Sequence, residues 1–183
     1  GTTSWPLPIE AREILQESNP CPFTAADIDE RLIGTTDFMP HSAIVCLFPY
    51  HVPHEGPTNL SRYTWATDYH LVVTDYLQRL VDELKTTAPD ASFSIHCDTS
   101  PLADRYMAYL AGLGFYGKNK CFINPTWGSY IVIGTVLTTL EFESNTPMTD
   151  TCMGCNRCIT SCLGQCLDGN AFNYATCKSY LTQ

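Results

Sequence analysis

The chain reads as an α+β body, a mixed sheet with flanking helices, followed by a small ferredoxin-like cysteine module. Three observations predict this. Apolar runs of strand length, at residues 42–48 and 129–140, stand apart from one long stretch of helical periodicity at 68–86. Helical and strand patterns alternate without a clean β-α-β repeat, so a doubly wound parallel sheet is not expected. Six of the ten cysteines fall between positions 152 and 177, which looks like a metal module joined to a cysteine-poor body. A disulfide framework would be spread over the fold.

Each element has its own reason. Pro6 and Pro8 lead into a short helix over 9–17, and Thr24 with Asp27 three residues on suggests a capping box for a second. Residues 42–48 are continuously apolar after Pro40, as in a buried strand. Pro49, Pro53, Gly56 and Pro57, with His51 and His54 among them, mark a loop to residue 61. In the long helix over 68–86, Tyr69, Val73, Tyr76, Leu77, Leu80 and Leu84 recur every three or four residues and share one face.

A strand is expected at 92–97. Ser100 as N-cap with Pro101 at the first helical position should open another helix. That helix should stop at Gly112 or Gly114, where glycine accepts the left-handed conformation. Strands at 120–124 and 129–140 are joined by Pro125, Thr126, Trp127 and Gly128. Polar residues from 143 to 150, with Pro147, set the boundary between a body of 1–147 and a module of 148–183.

Composition narrows the function. At 183 residues, 44% hydrophobic and 16% charged, the chain suits one globular domain and excludes a disordered tail, a coiled coil or a collagen-like rod. The net charge is -9, with only ten Lys and Arg and no run of them. Such a chain is a poor default binder of nucleic acid on its own, because that affinity rests on cations that neutralise phosphates. No stretch of about 18 apolar residues exists, so neither a transmembrane helix nor a membrane partner is expected. With no basic-then-apolar leader visible either, the expected location is the cytoplasm.

Cys152, Cys155, Cys158 and Cys162 follow the pattern C-x2-C-x2-C-x3-C, the spacing of bacterial iron–sulfur ligands. Three thiolates at steps of three wrap one tight loop around a cubic cluster, and the fourth typically serves a second cluster. Zinc sites more often use two C-x2-C pairs about 12–20 residues apart, a separation absent here. Disulfides between such close cysteines would be strained or would need extended loops. One or two [4Fe-4S] clusters are therefore expected. Leu163 follows Cys162 where the pattern usually has Pro, and no second C-x2-C-x2-C run is present. The fourth ligand for Cys152, Cys155 and Cys158 comes from Cys162, Cys166 or Cys177, or from outside the chain.

Several segments share their order and spacing with one family. They are Trp65-Ala-Thr-Asp68-Tyr69-His70, His96-Cys-Asp98-Thr-Ser-Pro-Leu-Ala-Asp104-Arg105, Ala111-Gly-Leu-Gly114-Phe-Tyr-Gly117-Lys118-Asn119, Trp127-Gly-Ser-Tyr130, the cysteine run, and Cys177-Lys-Ser-Tyr-Leu-Thr-Gln183. In these the chain resembles the epoxyqueuosine reductases over roughly residues 40–183. The resemblance implies cobalamin as cofactor beside two [4Fe-4S] clusters. It also implies removal of the epoxide oxygen of epoxyqueuosine in tRNA, with electrons passed singly to the cobalt. Cys177 joins Cys152, Cys155, Cys158 and Cys162 among the implied metal ligands. The family's members are longer, with a second cysteine run and a C-terminal helical repeat region that helps hold tRNA. The implied partners are thus tRNA, reached through such regions or a partner chain, and an electron-donor protein.

The family's acid falls on Asp98, at a strand end before a helix, where a carboxylate meets ligands but also serves as an ordinary cap. Lys118 and Asn119 follow Gly117 in a loop and suit either a corrinoid contact or a solvated turn. His70 and Arg62 complete the candidate cofactor contacts, Arg62 as a phosphate or carboxylate partner. Tyr69 lies on the apolar stripe of its helix, so packing is the expectation for it. The A-G-L-G-x-x-G run follows a helix rather than a strand and is no dinucleotide fingerprint. Two other readings remain: a single-cluster electron-transfer module without corrinoid, and a domain stabilised by zinc or disulfides.

Overall fold

A computed structural model describes residues 1–4, 36–53, 56, 58–98, 103–149, 152–168 and 171–182. The helix expected at 9–17, the capping pair Thr24 and Asp27, His54, and the Ser100-Pro101 helix start lie outside these residues.

A four-stranded sheet organises the body. Its strands are β1 (Thr2–Ser4), β2 (Ser42–Pro49), β3 (Phe93–Cys97) and β6 (Ile131–Thr138), in the order β1-β2-β6-β3. β2 and β6 pair along their whole length, from Ser42 opposite Thr138 to Pro49 opposite Ile131. Every described pairing is antiparallel, a correction to the mixed sheet expected. The error has a physical source. Continuous apolar runs signal burial on both faces, which parallel sheets usually have; here an antiparallel sheet is covered on both faces instead.

The covering elements are two helices. Alternate residues along a strand point to opposite faces, and the core divides accordingly. Val73, Leu77 and Val81 of α1 (Tyr69–Thr87) pack with Val136, Ile44, Cys46 and Phe48 on one face. Tyr106, Met107 and Ala108 of α2 (Asp104–Leu110) pack with Ala43, Val45 and Leu137 on the other. α1 lies close over Gly134: a Cβ there would come within 2.7 Å of Val73 and 2.9 Å of Leu77. Glycine at this central position is what lets helix and sheet meet.

The described part of α2 begins at Asp104. Its described N-cap is Ala103, without a side-chain cap. Its end agrees with expectation: Gly112 adopts φ +68°, with Leu113 N–H donating to Ala108 O and Gly112 N–H to Tyr109 O, each at 3.0 Å. These two bonds form a Schellman motif. Then β4 (Phe115–Tyr116) pairs with β5 (Phe122–Ile123). The expected strand 120–124 is shorter because Lys120 turns at φ +62°.

The cysteine segment has less regular structure. It holds the one-turn helices α3 (Arg157–Thr160) and α4 (Lys178–Leu181), a 3-10 turn at Tyr174–Thr176 and an isolated bridge between Leu167 and Phe172. Among the described residues no helix is long and apolar enough to cross a membrane.

Candidate active site

Asp98 follows the last residue of β3 with φ +60°. Non-glycine residues seldom adopt this conformation, although Asp tolerates it better than most, and such strain is of order 1–3 kcal/mol. The turn sets its carboxylate against the first residues of α1. The Tyr69 hydroxyl donates to Asp98 Oδ2 at 2.6 Å, and His70 Nε2 lies 3.3 Å from the same oxygen. On the far side of the ring, His70 Nδ1 is 2.7 Å from Asp68 Oδ1. That oxygen also accepts from the His70 backbone N–H at 2.9 Å, so Asp68 caps α1. Helix capping and side-chain positioning thus share one carboxylate.

Protonation follows from this geometry. A histidine facing a carboxylate at each nitrogen makes two hydrogen bonds only as imidazolium. The hydrogen bond to Asp68 is the main cause that raises the His70 pKa above its ordinary value, and the same bond lowers that of Asp68. The bond to Asp98 raises the Tyr69 pKa, keeping the phenol a donor. The side chains of His70 and Asp98 are 46% and 56% exposed, so an incoming ligand can reach them.

A raised histidine pKa has a definite sign. The stability it contributes is fully present below the unfolded value of 6.5 and is lost as pH rises through the folded value. We expect the His70 ring to titrate above 6.5, and Asp68→Asn to bring it back down. Imidazole 15N NMR across pH 5–9 checks this; an Asp68→Asn titration identical to the parent's would contradict the coupling.

Aromatic rings continue outward from this carboxylate. Tyr63 meets Tyr69 edge-on at 5.9 Å between centroids, Tyr50 meets Tyr63 at 6.3 Å, and Tyr130 meets Tyr50 at 5.8 Å. Arg62 stands over the Tyr130 and Trp65 rings, 5.6 and 5.9 Å from their centroids. It donates to His51 Nε2 at 2.7 Å and to Val52 O at 3.3 Å. His51 therefore presents a lone pair to Arg62 and is held in place by it.

The expected site residues are brought together only in part. Asp98 and His70 touch, and Arg62 belongs to the adjoining aromatic surface. Lys118 instead donates from Nζ to Asn156 Oδ1 at 2.8 Å, between Cys155 and Cys158 in the cysteine run. Asn119 Oδ1 accepts from Cys121 N–H at 3.1 Å, closing its own turn. Two participants were missed by sequence reasoning. Asp68 was passed over, though a carboxylate two residues before a histidine at a helix start is a recognisable signal. Tyr69 was assigned to packing, because periodicity reports where a ring lies and is silent on its hydroxyl.

The cysteines have the chemistry of cluster donors. The described ones are free thiols, which counts against the disulfide reading. Backbone N–H groups of Lys118 and Gly154 lower the Cys152 pKa toward the thiolate that metals bind. Cys162 Sγ lies 3.2 Å from Cys166 Sγ; the contact lowers the Cys162 pKa and raises that of Cys166 to about 11. Among the described residues, no three His, Cys, Asp or Glu side chains already stand in metal-holding geometry. The donor set nevertheless suits a cluster: soft thiolates at three-residue steps, with stabilised anions at Cys152 and Cys162.

Residues 38–99 match the family model described as epoxyqueuosine reductase QueG, DUF1730. The epoxyqueuosine reductase of Bacillus cereus is 38% identical over 123 residues, which cover 67% of this chain and 32% of that protein. That of Synechocystis is 33% identical over 131 residues, covering 69% and 45%. The solved structure of epoxyqueuosine reductase from Streptococcus thermophilus superposes with a TM-score of 0.71 at 26% identity, over 100% of this chain and 53% of that one. An epoxyqueuosine reductase solved with a tRNA-Tyr epoxyqueuosine-modified stem loop gives 0.72 at 28%, over 100% and 52%. The chain spans about a third of the length of the first curated relatives it matches and about half of those solved chains. By sequence and by fold it belongs to the epoxyqueuosine reductase family.

Proposed function

We propose that this chain carries the reducing site of an epoxyqueuosine reductase. Its body, 1–147, would hold cobalamin and its segment 148–183 the iron–sulfur clusters in a ferredoxin-like arrangement. The substrate is an epoxide on a tRNA nucleoside, and an electron-donor protein supplies the reductant. The observation that carries this reading is the set Asp68–His70–Asp98–Tyr69, two carboxylates bridged by one imidazolium beside an exposed aromatic surface.

Opening an epoxide to an alkene takes two electrons and two protons and releases the oxygen as water. When bound, the clusters supply electrons one at a time and the corrinoid delivers them to the substrate. The chain's own residues handle one of these protons at Asp98, and the second is taken from solvent. Asp98 Oδ2 is the atom that would hold the first against the departing oxygen, and the exposed carboxylate is open to a substrate from solvent. His70 Nε2 stands next to that atom and can return a proton after each turnover, while Asp68 fixes its ring and favours its charged form. Tyr69 orients the carboxylate through its hydroxyl. The exposed rings of Tyr63 and Tyr130, with Arg62 between strand loop and helix, suit a large planar ligand.

The test is anaerobic reconstitution of the chain with iron, sulfide and cobalamin, followed by gel filtration. Corrinoid absorbance should co-elute with protein, together with iron and acid-labile sulfide. Iron without corrinoid would favour the electron-transfer reading; zinc without sulfide would end both.

A further inference from the structure

We propose that Lys118 is a positioning residue for the cysteine run: it ties the body to the turn between Cys155 and Cys158, and its charge favours the reduced form of a cluster held there. This rests on the cluster reading above and gives Lys118 a task other than a corrinoid contact. Its Nζ donates to Asn156 Oδ1 at 2.8 Å, across 38 positions of the chain. Asn156 stands within the expected ligand run, directly after Cys155. Lys118 is half-buried, so its stem is packed and its head is less free than that of a surface lysine.

Both ends of this bond are built. On the body, Gly117 N–H donates to Cys121 O and Lys120 N–H to Gly117 O, each at 2.9 Å. Asn119 Oδ1 braces the same turn through Cys121 N–H, and Arg105 of α2 donates to Lys120 O at 2.9 Å. A Cβ on Gly117 would meet Asn119 Oδ1 at 2.5 Å and Ile123 Cδ1 at 2.6 Å, so this turn is closed tightly beneath Lys118. In the cysteine run, Asn156 takes φ +56°, a conformation asparagine tolerates better than most residues. Its carbonyl accepts from Ile159 N–H at 3.0 Å and from Thr160 N–H at 3.1 Å, so it is the N-cap of α3. An asparagine there ordinarily turns its side chain to the first helical N–H groups. This one caps nothing in α3 and accepts from Lys118 instead. The described thiols are not yet gathered around one point, so the run must close when iron arrives, and Lys118 fixes one point about which it closes. The charge matters as well. A cluster with thiolate ligands gains one further negative charge on reduction, and a nearby cation favours that state.

The whole chain, reconstituted anaerobically with ferrous iron and sulfide, tests this through an EPR-monitored redox titration and the rate of iron release to a ferrous chelator. Lys118→Met keeps the stem and removes both charge and donor. At a fixed solution potential its ratio of reduced to oxidised cluster should fall by about three- to tenfold, where tenfold is about 59 mV for one electron. Its iron should leave about three- to tenfold faster, as loss of a charged hydrogen bond implies. Lys118→Arg, which keeps charge and donor, should stay near the parent on both measures. Asn156→Gly suits the left-handed turn and removes the acceptor. Combined with Lys118→Met, it should release iron no faster than Lys118→Met alone. Circular dichroism establishes that each variant folds. A Lys118→Met chain with the parent's potential and release rate overturns the proposal while the cluster reading stands. Faster release at an unchanged potential also overturns it, since the lysine would then be a structural tie only. A parent chain that takes up no iron and sulfide removes the cluster reading, and this proposal with it.

Discussion

Asp98→Asn should lower epoxide reduction by about 10²–10⁴-fold, the usual contribution of a positioned acid. The substitution keeps size and shape. Asn Oδ1 can still accept from Tyr69, so α1 and β3 stay where they are, and fold and corrinoid retention should be unchanged. What disappears is the atom that holds the proton. An amide has no acidic proton near neutral pH, so His70 loses the carboxylate through which it would resupply the site. Single-turnover formation of the alkene product on an epoxyqueuosine-modified RNA stem loop, by the reconstituted chain, reads the effect. A rate within threefold of the parent's would remove Asp98 from the acid's role. His70→Gln should fall between the two, since solvent can reach the exposed carboxylate and recharge it more slowly.

Much of this site was legible before any coordinates, and the reason is local. Asp98 and His70 stand in short runs whose order along the chain carries the family resemblance. Contacts between distant segments were not legible. Lys118 reaches Asn156 across 38 positions, and nothing in the turn that holds Lys118 points there. Cys166 stood as one of three cysteines able to complete a cluster, and its 3.2 Å approach to Cys162, made where Gln165 turns left-handed, is not written in the spacing.

The fold divides the same way. α1 spans 69–87 against an expected 68–86 because its apolar face is periodic over five turns. β2 and β6 were found from composition alone, since both are covered on two faces. Strand direction was not available, because pairing is decided by which remote strand completes the sheet. The expected start of α2 at Ser100 lies outside the described residues, which carry the helix from Asp104.

Leu77→Ala should be the most damaging single truncation in the body, at about 3 kcal/mol, within the range of buried leucine deletions. Leu77 is fully buried. It fills the space over Gly134, where a Cβ would come within 2.9 Å of its own Cδ1. The opposing strand carries no side chain at that point, so only backbone shifts of β6 could close the cavity. β6 is held on both sides, by β2 and by β3, and is poorly free to move. The cavity therefore stays open, and the cost exceeds simple transfer of the lost methyl groups. Leu71, six residues earlier on the same helix, is 67% exposed, and Leu71→Ala should change stability by no more than about 0.5 kcal/mol. Urea unfolding followed by tryptophan fluorescence separates the two variants. Leu77→Ala should lower the thermal midpoint by about 6–12 °C, as a chain of this size requires. Equal effects at both positions would mean that α1 does not press Leu77 onto the sheet, and the placement of Asp68, Tyr69 and His70 at its first turn would lose its support.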